Sequence, residues 1–112
     1  MALENAIQQY LAECFAHEEP PRACEVATRC GLSPVQLTRA LQREQGMRPA
    51  AYLKARQVEL ARQLLSTTDL NTTEIAYRAG FGTRATFFRV FRRITGKTPA
   101  QFRDTPHRME AT

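Results

Sequence analysis

Apolar residues recur along this chain at helical spacing. Leu3, Ile7, Tyr10, Leu11 and Phe15 fall at i, i+4, i+7, i+8 and i+12, which predicts an amphipathic helix over residues 3–16. Pro20 and Pro21 end it and begin a connector. Strand-type alternation is nearly absent, whereas helix-capping signals recur at the spacing of short helices. The pattern therefore predicts an all-α fold of seven helices with no sheet.

The remaining helices follow from local chemistry. A second helix over residues 23–30 has no good cap in Pro20-Pro21-Arg22 and should stop at Gly31, which is free to adopt positive φ in a tight turn. Ser33, Pro34 and Gln36 supply cap, first position and capping box for a third helix ending near residue 45. A longer fourth helix spans 49–65, with Leu53, Leu60, Ala61, Leu64 and Leu65 on one stripe and Lys54, Glu59, Arg62 and Gln63 outside it. Asn71 with Glu74 opens the fifth helix, Gly80 closes it, Thr83 caps the sixth, and Thr98-Pro99 with Gln101 opens a short seventh. Residues 105–112 lack apolar periodicity, contain Pro106 and should fray.

Two of these segments are copies of one another. Glu25 to Arg43 is echoed by Glu74 to Arg93 at an offset of 49 residues, becoming 50 after one extra residue that follows Gly80-Phe81. The register continues beyond the helix-turn-helix pattern: Gly46 matches Gly96, Pro49 matches Pro99, and Tyr52 matches Phe102. The chain thus divides into a first helix-turn-helix subdomain (5–47), a linker helix (48–66), a second subdomain (67–104) and a tail.

Charge narrows the choice of partner. Residues 1–20 carry four acids and no Lys or Arg, so the rest of the chain holds all 16 basic residues against 7 acidic ones. Fourteen of the 16 are arginine, whose planar fork of donors suits phosphates and guanine edges. A polyanionic partner is expected, with nucleic acid the first candidate. The three cysteines Cys14, Cys24 and Cys30 form no C-x-x-C pair, and the two histidines stand far from them, so neither zinc nor a disulfide framework is indicated. Free thiols filling helix interfaces are expected, and no cofactor. No apolar run approaches the roughly 18 residues of a membrane span. The start Met-Ala-Leu-Glu-Asn lacks the basic region of a signal peptide, so a cytoplasmic protein is expected, nucleoid-associated when bound to DNA.

A 100° wheel puts Leu37, Ala40 and Leu41 on one face of the third helix and Val35, Thr38, Arg39 and Gln42 on the other. In the sixth helix, Phe87, Val90, Phe91 and Ile94 point inward, while Ala85, Phe88, Arg89, Arg92 and Arg93 take the outer arc and Arg84 lies near its start. Arg39 and Arg89, at equivalent positions, are the leading base readers. Val35 and Ala85 suit thymine methyls, and Gln36, Thr38 and Gln42 suit base edges or phosphates. Arg43, Arg92, Arg93 and Lys97, towards helix ends and loops, suit phosphates. Phe88 is expected to pack against the fifth helix rather than a base, and Tyr52 and Tyr77 to be core or interface residues. Any one arginine is as readily a solvated charge or an i, i+4 partner; the repeat is what favours DNA.

These residues resemble the DNA-binding domain of AraC/XylS-type transcription regulators. The segment IAYRAGFGTRATFFRVFRRITGKTPAQFR (75–103) carries most of the likeness, with ARQVELARQLL (55–65) and GLSPVQLTRALQREQG (31–46). The resemblance spans about residues 5–104. It implies seven helices in two subdomains, with recognition helices entering successive major grooves about 34 Å apart. It also implies a transcription regulator, commonly an activator touching RNA polymerase. Base readout then falls on Val35, Gln36, Thr38 and Arg39, and on Arg84, Ala85, Phe88 and Arg89. Such a chain is either a stand-alone regulator or the C-terminal domain of a larger one. The alternative is a basic helical protein-interaction module. An enzyme is disfavoured, because no Ser-His-Asp arrangement, phosphate loop or metal-ligand cluster stands in the sequence.

Overall fold

The computed structural model describes residues 2–104; the tail 105–112, expected to fray, lies outside the described residues. Seven helices follow in order: α1 (Ala2–Ala16), α2 (Ala23–Arg29), α3 (Pro34–Gln45), α4 (Pro49–Thr67), α5 (Thr72–Arg78), α6 (Arg84–Thr95) and α7 (Pro99–Asp104). The described residues contain no strand.

Helix starts are set by the side chains that complete their unpaired amides. Ser33 with Gln36 and Asn71 with Glu74 form reciprocal capping boxes at α3 and α5. Thr83 accepts from the Thr86 amide at α6. Thr98 and Gln101 exchange the same pair of bonds at α7, at 3.0 and 3.1 Å. Arg22 gives α2 no side-chain cap. Its amide instead donates to the Tyr10 hydroxyl of α1 at 2.8 Å, and that hydroxyl donates to the Glu25 carboxylate. This is one arm of a capping box, relayed through a tyrosine from another helix. The equivalent pair in the second copy, Asn71 and Glu74, needs no intermediary.

The repeat is visible in burial. Val26, Ala27, Leu37, Ala40 and Leu41 are buried, and so are their counterparts Ile75, Ala76, Phe87, Val90 and Phe91. The turn glycines match as well, Gly31 at φ 69° and Gly80 at φ 76°, in the left-handed region that favours a residue without Cβ. Each copy closes its own core. The first gathers α1, α2 and α3 onto Tyr52 and Leu53 of α4; the second gathers α5 and α6 onto Val58, Ala61 and Leu65. The division between cores thus falls within one helix, between Leu53 and Val58.

Two expectations need correction. The helical wheel turns Ile94 inward, yet it is 46% exposed. Its counterpart Glu44 is exposed too, so each helix has run past the core beneath it by that turn. Of the two tyrosines expected in the core or an interface, Tyr52 is buried in the core and Tyr77 is 43% exposed. On α4, Leu60 and Leu64 are only half-buried, while Val58 and the polar Gln57 are fully so. α4 also continues to Thr67, because the hydroxyls of Thr67 and Thr68 bond the carbonyls of Gln63 and Leu64. Arg103 of α7 then clamps the following loop, donating to the carbonyls of Leu65, Thr68 and Leu70 at 3.2, 3.0 and 2.6 Å.

Candidate nucleic-acid interface

Because α3 and α6 each press one stripe onto a core, the helical period fixes what they show outside. On α3 the exposed residues include Val35, Gln36, Thr38, Arg39, Gln42 and Arg43. On α6 they include Arg84, Ala85, Arg89, Arg92 and Arg93, with Lys97 exposed in the loop beyond. Phe88 is half-buried against the second core, edge-on to Phe87 with ring centroids 5.8 Å apart.

Some of these groups have internal work that limits what they offer. The Gln36 side-chain oxygen accepts from the Ser33 amide at 2.9 Å, which leaves its NH2 as the outward donor. Thr38 donates its hydroxyl to the Pro34 carbonyl at 2.9 Å, so it presents an acceptor lone pair and a methyl group. Val35 is 60% exposed, an apolar side chain at the front of a polar face. Arg84 is folded back: its guanidinium carbon lies 4.1 Å from the Phe88 ring centroid, and its Nε donates to Thr72 Oγ1 at 3.3 Å. It therefore bridges the first residue of α5 to the middle of α6.

Several arginines off the candidate face are engaged within the fold, which sequence alone does not show. Arg29 is paired with Glu13 and lies over Tyr10. The hydrogen bond from Arg29, and then its charge, hold the Glu13 carboxyl below the usual carboxylate range. Arg56 bonds Tyr52 and Gln8, Arg62 lies over Phe102, and Arg103 holds three carbonyls. On the candidate face, Arg39, Arg43, Arg89, Arg92 and Arg93 are joined to no carboxylate among the described residues. Arg39 and Arg43 stand at i, i+4, as do Arg89 and Arg93. Like charges so placed destabilise a helix by about 0.2–0.5 kcal/mol per pair. Both copies carry this repulsion at equivalent positions, and a polyanion on that face relieves it.

Of the three free cysteines, Cys14 is buried, Cys30 half-buried and Cys24 exposed. Burial pushes the thiols of Cys14 and Cys30 up, which disfavours the thiolate needed for redox or metal binding. Among the described residues no His, Cys, Asp and Glu group is arranged to hold a metal ion, and no helix is long and apolar enough to cross a membrane.

Comparison with known proteins gives the same picture. A family model described as a helix-turn-helix domain matches residues 26–105. The HTH-type transcriptional activator RhaS of Salmonella schwarzengrund is 38% identical over 99 residues, 88% of this chain and 35% of that protein. The chain thus spans about a third of the length of the curated relatives it matches. Among solved structures, the DNA-binding domain of AdpA, a global transcriptional factor in complex with a target DNA, superposes with a TM-score of 0.79 at 26% identity. That likeness covers 96% of this chain and 97% of the other. A transcriptional regulator of Chromobacterium violaceum with an AraC-type DNA-binding domain gives 0.78 at 28% identity, over 94% of each chain.

Proposed function

The chain belongs to the AraC-type helix-turn-helix family of DNA-binding transcription regulators, and on that premise we propose that it reads duplex DNA with α3 and α6 in successive major-groove segments. The observation that carries this reading is the matched pair of unneutralised arginines, Arg39 with Arg43 and Arg89 with Arg93, on two faces that repeat in sequence, burial and cap geometry. Arg39 and Arg89 would meet guanine O6 and N7, Val35 and Ala85 would pack on thymine methyls, and Gln36 and Thr38 would bond base edges. Gln42, Arg43, Arg92, Arg93 and Lys97 would hold phosphates and set the orientation without selecting sequence. Arg84, braced on Phe88, would act at the start of α6. The chain extends 41 Å along its longest axis, enough to span one turn of B-DNA, about 34 Å.

The relative RhaS carries the description of a transcriptional activator, and we extend that sign to this chain, with RNA polymerase as the partner of a surface off the DNA. Selection from a random duplex library at near-physiological salt tests the core of the reading. Enrichment of two half-sites about one helical turn apart supports readout by both helices. A single enriched half-site removes one of them from base readout, and no enrichment sinks the proposal.

A further inference from the structure

The two copies differ in length by one residue, Gly82, and that residue lies where the lobes meet. A Cβ built on Gly82 would stand 3.7 Å from Cγ of Pro20. Gly80, two residues earlier, is tighter: a Cβ there would stand 2.9 Å from the Glu19 carbonyl oxygen, and 3.4 Å from both Pro21 Cδ and Gln57 Nε2. The α1–α2 connector of the first lobe is therefore seated on the α5–α6 turn of the second. Its path is set at Glu18, which takes the left-handed conformation at φ 56° as α1 ends, while the Glu19 amide reaches back to the Cys14 carbonyl at 2.8 Å.

Gln57 completes this contact from the other side. It stands on α4 between Leu53, which closes the first core, and Val58, which begins the second. Among the described residues it is the buried polar side chain. Its amide donates to the carbonyls of Ala79 and Gly80, at 3.1 and 2.9 Å. A buried amide so bonded is costly to displace, since moving it leaves both carbonyls without their donor. The linker helix, the second lobe's turn and the first lobe's connector are thus tied at one point.

We propose that Gln57 and the Pro20-Pro21 connector form a lock that fixes α3 and α6 in one mutual register, and that Gln57 is a positioning residue that decides which half-site spacing the chain accepts. The proposal rests on the two-helix reading above. One added base pair moves a half-site by about 3.4 Å and turns it by about 34°. A locked pair of helices does not follow that shift, whereas lobes free to twist about α4 do.

The test compares the wild-type chain, Gln57→Met and the double variant Pro20→Ala/Pro21→Ala on duplexes carrying the two selected half-sites with the spacer lengthened or shortened by one base pair. For the wild type, each change should weaken binding by about tenfold or more, as losing a half-site contact does. Both variants should lose most of that discrimination while keeping the same preferred bases within each half-site. A purely structural role for Gln57 would lower affinity at all spacings alike, and an unchanged spacing profile in both variants overturns the lock. Should Gln57→Met lose its helical circular dichroism, the proline variant, which leaves both cores intact, decides alone. A wild-type chain that binds a selected site equally well at every spacing also refutes the lock. A wild-type chain with no selected site at all refutes the two-helix reading instead.

Discussion

The guanidinium of Arg84 lies over the ring of Phe88, one helical turn along α6, with 4.1 Å from its carbon to the ring centroid. An arginine held this way has surrendered much of its rotamer freedom before any ligand arrives, and Thr72 steadies it from α5. Replacing the ring by an aliphatic side chain keeps the half-buried contact with Phe87 and removes the platform. Phe88→Leu should therefore weaken binding to a selected duplex by about 0.5–1 kcal/mol, roughly two- to fivefold. Fluorescence anisotropy measures it, and the same loss in an Arg84→Ala background would show that Phe88 acts independently of Arg84.

Arg39 and Arg89 face outward from equivalent turns and touch no described carboxylate. Arg39→Ala and Arg89→Ala should each weaken specific binding by about 1–3 kcal/mol and relax base preference at one position. Helical circular dichroism should stay unchanged. If a selected site binds both variants as it binds the wild type, the assignment of base readers is wrong.

Arg93 stands in the last turn of α6, and the role proposed for it is a phosphate contact. Arg93→Ala should weaken binding to all sequences alike, and the slope of log affinity against log salt should shrink by about 1. A loss confined to the selected sequence would move Arg93 among the base readers. A salt slope near zero in the wild type would favour an acidic protein partner over DNA.

Arg103 is spent within the fold, bonding the carbonyls of Leu65, Thr68 and Leu70 where α4 ends. Arg103→Ala should cost about 2 kcal/mol, because charged hydrogen bonds to half-buried carbonyls are lost. For a domain of this size that lowers Tm by roughly 10 °C. Thermal unfolding followed by circular dichroism measures it; a Tm within two degrees of wild type would show that water replaces the clamp.

Burial, then the hydrogen bond to Glu25, pushes the Tyr10 hydroxyl well above its ordinary value of 10.0. A group whose folded pKa is raised stabilises fully below its unfolded pKa and loses that contribution as pH climbs beyond it. Stability should accordingly be insensitive to Tyr10 up to about pH 10 and should fall above it. Tyr10→Phe should cost about 1 kcal/mol at neutral pH through the lost cap of α2. It should also flatten part of the alkaline decline in chemical denaturation, and an equally steep decline in the variant would remove Tyr10 as its source.

The fold was legible wherever its determinants are local. Ser33 with Gln36, Asn71 with Glu74 and Thr98 with Gln101 act within three residues, so the starts of α3, α5 and α7 are readable from sequence. The start of α2 was placed too, but its cap was not visible, because the hydroxyl that serves Arg22 comes from Tyr10 on α1. Gln57 was missed for a related reason: a hydropathy stripe discards glutamine, and the carbonyls that satisfy it belong to Ala79 and Gly80, more than twenty residues on. The candidate face was readable from the helical wheel, since burial of one stripe dictates exposure of the other. Its internal pairings were not, because the bracing of Arg84 on Phe88 and Thr72 depends on how α5 crosses α6.

The single residue that spoils the symmetry of the repeat makes the two halves of the molecule unlike, and the difference in their exposed side chains deepens it. One half offers Val35, Thr38 and Arg39, the other Arg84, Ala85, Phe88 and Arg89. A reader built from unlike halves has a head and a tail. Any site it recognises with both would be non-palindromic, and inverting that site on a duplex would turn the whole molecule end for end, carrying every surface off the DNA to the opposite side of the promoter.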